Sequence, residues 1–128
     1  MAVAGLAHMF RIVPNPTFIC DVPLSVPGAD KPGVIKVTYK HMDRRALHAY
    51  QARAVDLAME ADLPDAQDRY RDYVAEVIDS WSGVVDAAGK PVPYSLQALG
   101  DLLQAFPASG PEIVRHYARQ LSHARAGN

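Results

Sequence analysis

The clearest alternation of apolar and polar positions in this chain runs through Gly33-Val34-Ile35-Lys36-Val37-Thr38-Tyr39-Lys40. In an extended segment Ile35, Val37 and Tyr39 share one face, and Lys36, Thr38 and Lys40 share the other. An earlier run, Thr17-Phe18-Ile19-Cys20-Asp21-Val22, is rich in β-branched and aromatic residues and also reads as extended. Between them lies VPGADKPG, a turn-forming stretch. The pattern predicts a β-hairpin over residues 17–40. A lone two-stranded hairpin is marginal in water. It must pack on helices or pair with another chain, which makes Ile35, Val37 and Tyr39 candidate self-association residues.

Beyond residue 40 the period changes. Asp43 is placed to cap a helix, with Met42 and Leu47 at hydrophobic-staple spacing. Leu47, Tyr50, Ala54, Leu57, Ala58 and Ala61 then fall on one side of that helix. Leu63-Pro64 ends it, because the residue before proline avoids helical geometry. Asp65 is the expected cap of a second helix. Tyr70, Tyr73, Val74, Val77, Ile78 and Trp81 form its apolar face, and Gly83 ends it in a left-handed conformation. Ser95 caps a third helix with Leu99, Leu102, Leu103 and Phe106 buried. Ser109-Gly110-Pro111-Glu112 fits a capping box for a fourth, which buries Ile113, Val114, Tyr117 and Leu121. The expected fold is therefore α+β and mainly α, an N-terminal β-hairpin followed by about four helices packed as two antiparallel pairs.

Residues 81–95, WSGVVDAAGKPVPYS, are too apolar for a plain linker. Asp86 to Gly89 form a turn, and Pro91 and Pro93 exclude a central strand. The stretch reads as a packed loop anchored by Trp81, Val84, Val85, Val92 and Tyr94, or as a loop whose apolar residues also meet a partner. One domain follows over residues 1–128: an irregular start at 1–16, the hairpin, a helical part at 43–124 with this loop inside it, and a frayed tail at 125–128.

Composition narrows the function. With 128 residues, a formal charge of −1 and a single cysteine, the chain has one modest core and no surplus of cations for phosphates. Cys20 alone makes neither an internal disulfide nor a cysteine-based zinc site. The apolar start, Ala2 to Met9, is too short to span a bilayer. These features predict a cytosolic protein that binds neither nucleic acid nor membrane.

Chemistry is hard to find. His41 and His48 are seven apart, as are His116 and His123, which on a helix separates each pair by roughly 10 Å. Zn–N bonds of about 2 Å exclude a shared ion at that distance. No nucleophile elbow, phosphate loop or dinucleotide fingerprint is present. The expectation is no enzyme activity, no metal and no cofactor. Asp65, Asp68, Asp72, Glu76 and Asp79 make an acidic stripe opposite the apolar face of the second helix. It reads as a solvated face or, through Asp68, Asp72 and Glu76, as a docking surface for a basic partner.

One family shares the order of these pieces. RDYVAEVIDSWSGVVDAAGKPVPYSLQALGDLLQAFPASGPEIVRHYARQL resembles the tail assembly chaperones of long-tailed bacteriophages and prophages. The matching pieces are Trp81, Gly83-Val84, the Asp86 to Gly89 turn, Pro91-Val92-Pro93-Tyr94-Ser95, Leu102-Leu103, Ile113 and Tyr117. Met9 to Phe18 and Val34 to Lys40 also match in kind and order. The resemblance implies a non-enzymatic protein that forms a homo-oligomer. It also implies binding to the tape measure protein, the long helical protein that sets tail length, which is kept soluble during assembly. Such a chaperone works in the bacterial host cytoplasm and is absent from the mature virion. A small structural or adaptor protein of the tail is the alternative.

Overall fold

A computed structural model describes residues 9–13 and 16–122. The tail at 125–128, His123 and most of the irregular start lie outside the described residues. Among the described residues three strands are present: β1 (Thr17–Leu24), β2 (Gly33–Lys40) and β3 (Ile78–Ser82). Four helices accompany them: α1 (Arg44–Met59), α2 (Ala66–Ala75), α3 (Leu96–Ala105) and α4 (Ser109–Ser122). The α+β, mainly helical class and the hairpin agree with the sequence pattern.

The sheet has the order β1-β2-β3, with both neighbouring pairs antiparallel. In the hairpin Phe18 lies opposite Tyr39, Cys20 opposite Val37 and Val22 opposite Ile35. These residues face the helices. The His41 amide donates to the Pro16 carbonyl at 2.9 Å. Antiparallel bonding alternates along the ladder, so the backbone groups of Thr17, Ile19, Asp21 and Pro23 face away from β2. Pro23 thus lacks an N–H where β2 would not have used one.

The second helix is shorter than its apolar periodicity predicts. It ends at Ala75, and residues 78–82 pair with β2 instead. A bulge explains the misleading pattern. Thr38 lies opposite Ser80 and Tyr39 opposite Ile78, which leaves Asp79 without a partner residue. That extra residue puts the two buried side chains of the strand, Ile78 and Trp81, three positions apart, as in a helix. Gly83 does have a positive φ of 85°, but it follows a strand rather than a helix.

Local capping is partly as expected. The Asp43 carboxylate accepts from the Ala46 amide at 2.8 Å, and the Ser95 hydroxyl from the Ala98 amide at 3.0 Å. Asp65 makes no such bond at the start of α2. The capping box at Ser109 does not form either. The Ser109 hydroxyl donates back to the Phe106 carbonyl at 2.6 Å. Glu112 reaches across the molecule and accepts from the Ser25 amide at 3.1 Å, tying α4 to the hairpin loop.

The core lies between the inner sheet face and the helices, with α2 in contact with all three other helices and most extensively with α3. Its largest fully buried side chains are tyrosines. Tyr39 donates to the Ile113 carbonyl at 2.9 Å, and Tyr117 to the Lys40 carbonyl at 2.6 Å. Tyr50 donates to the Tyr73 carbonyl at 2.7 Å, while Tyr73 donates to the Tyr50 carbonyl at 2.8 Å. The Tyr50 and Tyr73 rings stack with centroids 4.1 Å apart and planes 3° from parallel. Among the described residues no buried side-chain polar atom lacks a hydrogen-bond partner.

Residues 84–92 form a small hairpin. The Val92 amide donates to the Val84 carbonyl at 2.8 Å, and Val85 bridges Pro91. The Asp86 carboxylate accepts from the amides of Ala88 and Lys90 at 2.9 and 3.0 Å. Trp81 holds this hairpin from below: its Nε1–H donates to the Val92 carbonyl at 2.8 Å, and its ring meets Tyr94 edge-on at 5.1 Å. Val84 and Tyr94 pack against the core. Val85 does not act as an anchor, because it is 57 % exposed on the outer side of the bridge.

Trp81→Ala should therefore destabilise the protein by about 3–5 kcal/mol, the range for an emptied large aromatic site. Urea titration followed by far-ultraviolet circular dichroism measures it, and a loss below about 1 kcal/mol would contradict the packing described. A second expectation concerns alkaline pH. Burial pushes the Tyr39 and Tyr50 phenols well above their ordinary range, with Cys20 adding to the effect at Tyr39 and Tyr73 at Tyr50. Burial alone pushes Tyr117 up to about 12. Because the folded-state values are raised, this stabilisation is complete below about pH 10, where free tyrosine ionises. It is lost as pH rises towards about 12, the value for Tyr117. Phenolate absorbance of these buried rings should rise together with loss of near-ultraviolet dichroism. Ionisation of all the tyrosines near pH 10 in a folded protein would contradict it.

Candidate functional site

The tyrosine pair at Tyr50 and Tyr73 clamps α1 to α2 at one point and leaves much of α1 uncovered. Of the apolar stripe Leu47, Tyr50, Ala54, Leu57, Ala58 and Ala61, which periodicity predicts to be buried, only Tyr50 is fully enclosed. Leu47 and Leu57 are half-buried, and the three alanines are exposed. The alanine side chains are too short to reach α3 across the top of α2. The result is an open groove of about 1070 Å³ between α1, α2 and α3. Ala54, Leu57 and Ala58 form one wall, Leu96 and Leu103 the other, and Tyr70 part of the floor. Asp68 and Asp101 stand among its polar residues.

Close packing below the groove fixes Tyr70. A Cβ placed on Gly110 would stand 2.6 Å from the Tyr70 ring and hydroxyl, so a larger residue there would require the Tyr70 side chain to shift. A second groove, of about 370 Å³, lies between α1, α2 and α4 and shares Ala54 and Tyr70 with the first. The apolar surface therefore continues around α1.

The candidate self-association residues are placed differently from expectation. Val37 and Tyr39 are fully buried and Ile35 nearly so, all within their own chain. β2 is the middle strand, and β3 occupies the edge that a two-stranded hairpin would leave open. Ile35, Val37 and Tyr39 hold the core together and do not face a second copy. Two sheet edges lack a partner strand among the described residues, the outer edges of β1 and β3.

The acidic stripe is largely answered within the chain. Glu76 receives two bonds from Arg53, at 2.8 and 2.6 Å. Arg71 lies 3.0 Å from Asp72 and 3.4 Å from Asp68. Arg69 pairs with Glu60 and lies 4.0 Å from Asp65. Exposed pairs of this kind contribute roughly 0–1 kcal/mol each, so they organise the surface more than they stabilise it. Asp68, Asp72 and Glu76 thus lie on a mixed-charge face. Only Asp68 also borders the groove.

Sequence reasoning also missed the segment before the sheet. Phe10 is 91 % exposed and Ile12 93 %, with Met9 and Val13 exposed beside them. On α1 the outward side carries Met59, 82 % exposed, and Val55. The available signal was the run MFRIV itself, four apolar residues around one arginine with no polar face to give to water.

Among the described residues no cluster of three or more histidine, cysteine, aspartate or glutamate side chains could hold a metal ion. His116 has its pKa lowered by burial and by Arg119, which favours the neutral ring. None of the described helices is long and apolar enough to cross a membrane.

Comparison with known proteins places the chain. A family model described as phage tail assembly chaperone matches residues 6–128. No curated protein matches the chain, and no solved structure does.

Proposed function

The chain belongs to the phage tail assembly chaperone family, a non-enzymatic family that acts while tails are built in the host, and from that premise we propose that it associates with copies of itself and keeps the tape measure protein of its tail soluble. The observation that supports this reading is apolar surface without a cover. The α1–α3 groove, the outer side of α1 and the segment Met9–Val13 together expose more large apolar side chains than scattered surface residues account for. A folded domain with a satisfied core gains nothing from such surface unless other chains cover it.

A tape measure protein presents the complementary problem. Its long helices carry apolar stripes that associate indiscriminately before tail tube protein encloses them. A chaperone oligomer covers such stripes repeatedly, and each weak contact is reinforced by its neighbours through high effective concentration. No cofactor enters this work. It takes place in the bacterial cytoplasm, and the chaperone leaves before the virion is complete.

Co-expression with the tape measure protein of the same phage is the direct test. The tape measure protein should move from the pellet to the supernatant and co-purify with the chaperone. Should it stay insoluble beside abundant folded partner, the tape measure assignment gives way to the reading of a small structural or adaptor protein of the tail.

A further inference from the structure

We propose that the segment Met9–Val13 of one copy seats in the α1–α2–α3 groove of a second copy, so that the chain assembles head to tail; this rests on the self-association proposed above and gives it a surface. Among the described residues, the segment has no place to seat in its own chain. Phe10 and Ile12 are the most exposed large apolar side chains of the described residues, at 91 % and 93 %. In an extended segment they alternate with Arg11 and so share one face. The groove is open, largely apolar and walled by short alanine side chains that let a backbone approach closely.

Dimensions and charge agree. Five extended residues span roughly 16 Å. The α3 wall of the groove runs from Leu96 to Gln104, about 12 Å at the helical rise, and Pro107 extends it past the helix end. With Phe10 and Ile12 directed into the groove, Arg11 is carried to its margin, where its long stem can follow the apolar wall. Asp68 and Asp101 are the acidic residues there. Asp68 holds Arg71 at 3.4 Å, the longer of the two Arg71 contacts, and its side chain remains 73 % exposed. An arm with a single cation therefore meets a groove whose acids exceed its own cation, Arg71.

The arm and the groove are different surfaces of the molecule, so a one-way joint is heterologous and propagates into a ring or an open spiral, whereas two copies that exchange arms close as a dimer. The outer edge of β1 is a poorer joint. Pro23 sits on it, and Asp21 and Lys36 form an ion pair at 2.8 Å on the adjoining solvent face.

The test uses the full chain. Light scattering at tens of micromolar should show concentration-dependent assembly of the wild type. Phe10→Asp combined with Ile12→Asp, and separately Ala58→Glu, should each reduce it to monomer. All these positions are exposed, so dichroism and thermal unfolding should stay unchanged. In a Cys20→Ser background, chains with Ile12→Cys are mixed with isotopically labelled chains carrying Ala58→Cys and oxidised. Mass spectrometry should find a disulfide joining position 12 of one copy to position 58 of the other. If the wild type assembles, the arm variant assembles equally and no such link forms, the inference is overturned while self-association stands. A groove variant that loses only tape measure capture assigns the groove to that protein and overturns it too. So does a 12–58 link formed within single chains of a doubly substituted monomer. A wild type that is monomeric throughout removes self-association itself and the inference with it.

Discussion

Buried tyrosine hydroxyls govern how this molecule is put together. A phenol inside a core must donate to something, since an unsatisfied polar group there costs about 1–3 kcal/mol. Here each enclosed hydroxyl donates to a backbone carbonyl of a different element. Tyr39 joins β2 to α4, and Tyr117 joins α4 back to the end of β2. Tyr50 and Tyr73 exchange bonds between α1 and α2. Leucines in these places would fill the volume but leave the helices free to slide. The hydroxyls fix their axial positions, and the ring contacts among Phe18, Tyr39, Tyr117 and Tyr50 join the two sets of bonds into one cluster.

Placing tyrosine rather than a larger set of aliphatic residues at the α1–α2 contact has a consequence for the surface. The stacked pair holds α1 through the one fully enclosed residue of its stripe, Leu47 and Leu57 are half-buried against the core, and the rest of that stripe is alanine. A helix held so locally needs no further burial to stay in place. The alanines are thereby released from the core, and with Leu96 and Leu103 of α3 they become the wall of a groove. The core is economical and the surface is surplus, two sides of one arrangement.

Much of the fold was legible because each signal was local. Alternation over Ile35, Val37 and Tyr39 named the inner face of β2, and Asp43 and Ser95 announced two helix starts through their side chains. What escaped was set by distant partners. The bulge at Asp79 gives β3 a spacing of three between Ile78 and Trp81, and only pairing with β2 distinguishes that from a helical turn. Glu112 had the spacing of a capping box but found Ser25 across the molecule. The groove was illegible for the same reason. Periodicity identifies an apolar stripe, yet it cannot say whether the stripe is covered, which depends on how far α3 lies from α1. Of the acidic stripe, Asp68 and Asp72 lie on α2 but Asp79 lies in β3, and the stripe's arginine partners include Arg53 from another helix.

A groove walled by alanine sets the strength of whatever it holds. Short side chains offer area but little depth, so one occupant loses water from a shallow surface and gains few enclosing contacts. Each joint is then weak and reversible, and an assembly made of many such joints is strong only while its neighbours are present. That is the behaviour a transient assembly factor requires. A deep pocket lined by leucine would hold its occupant against displacement. In the proposed assembly, the same residues that fail to bury α1 in its own chain would keep the contacts between chains breakable.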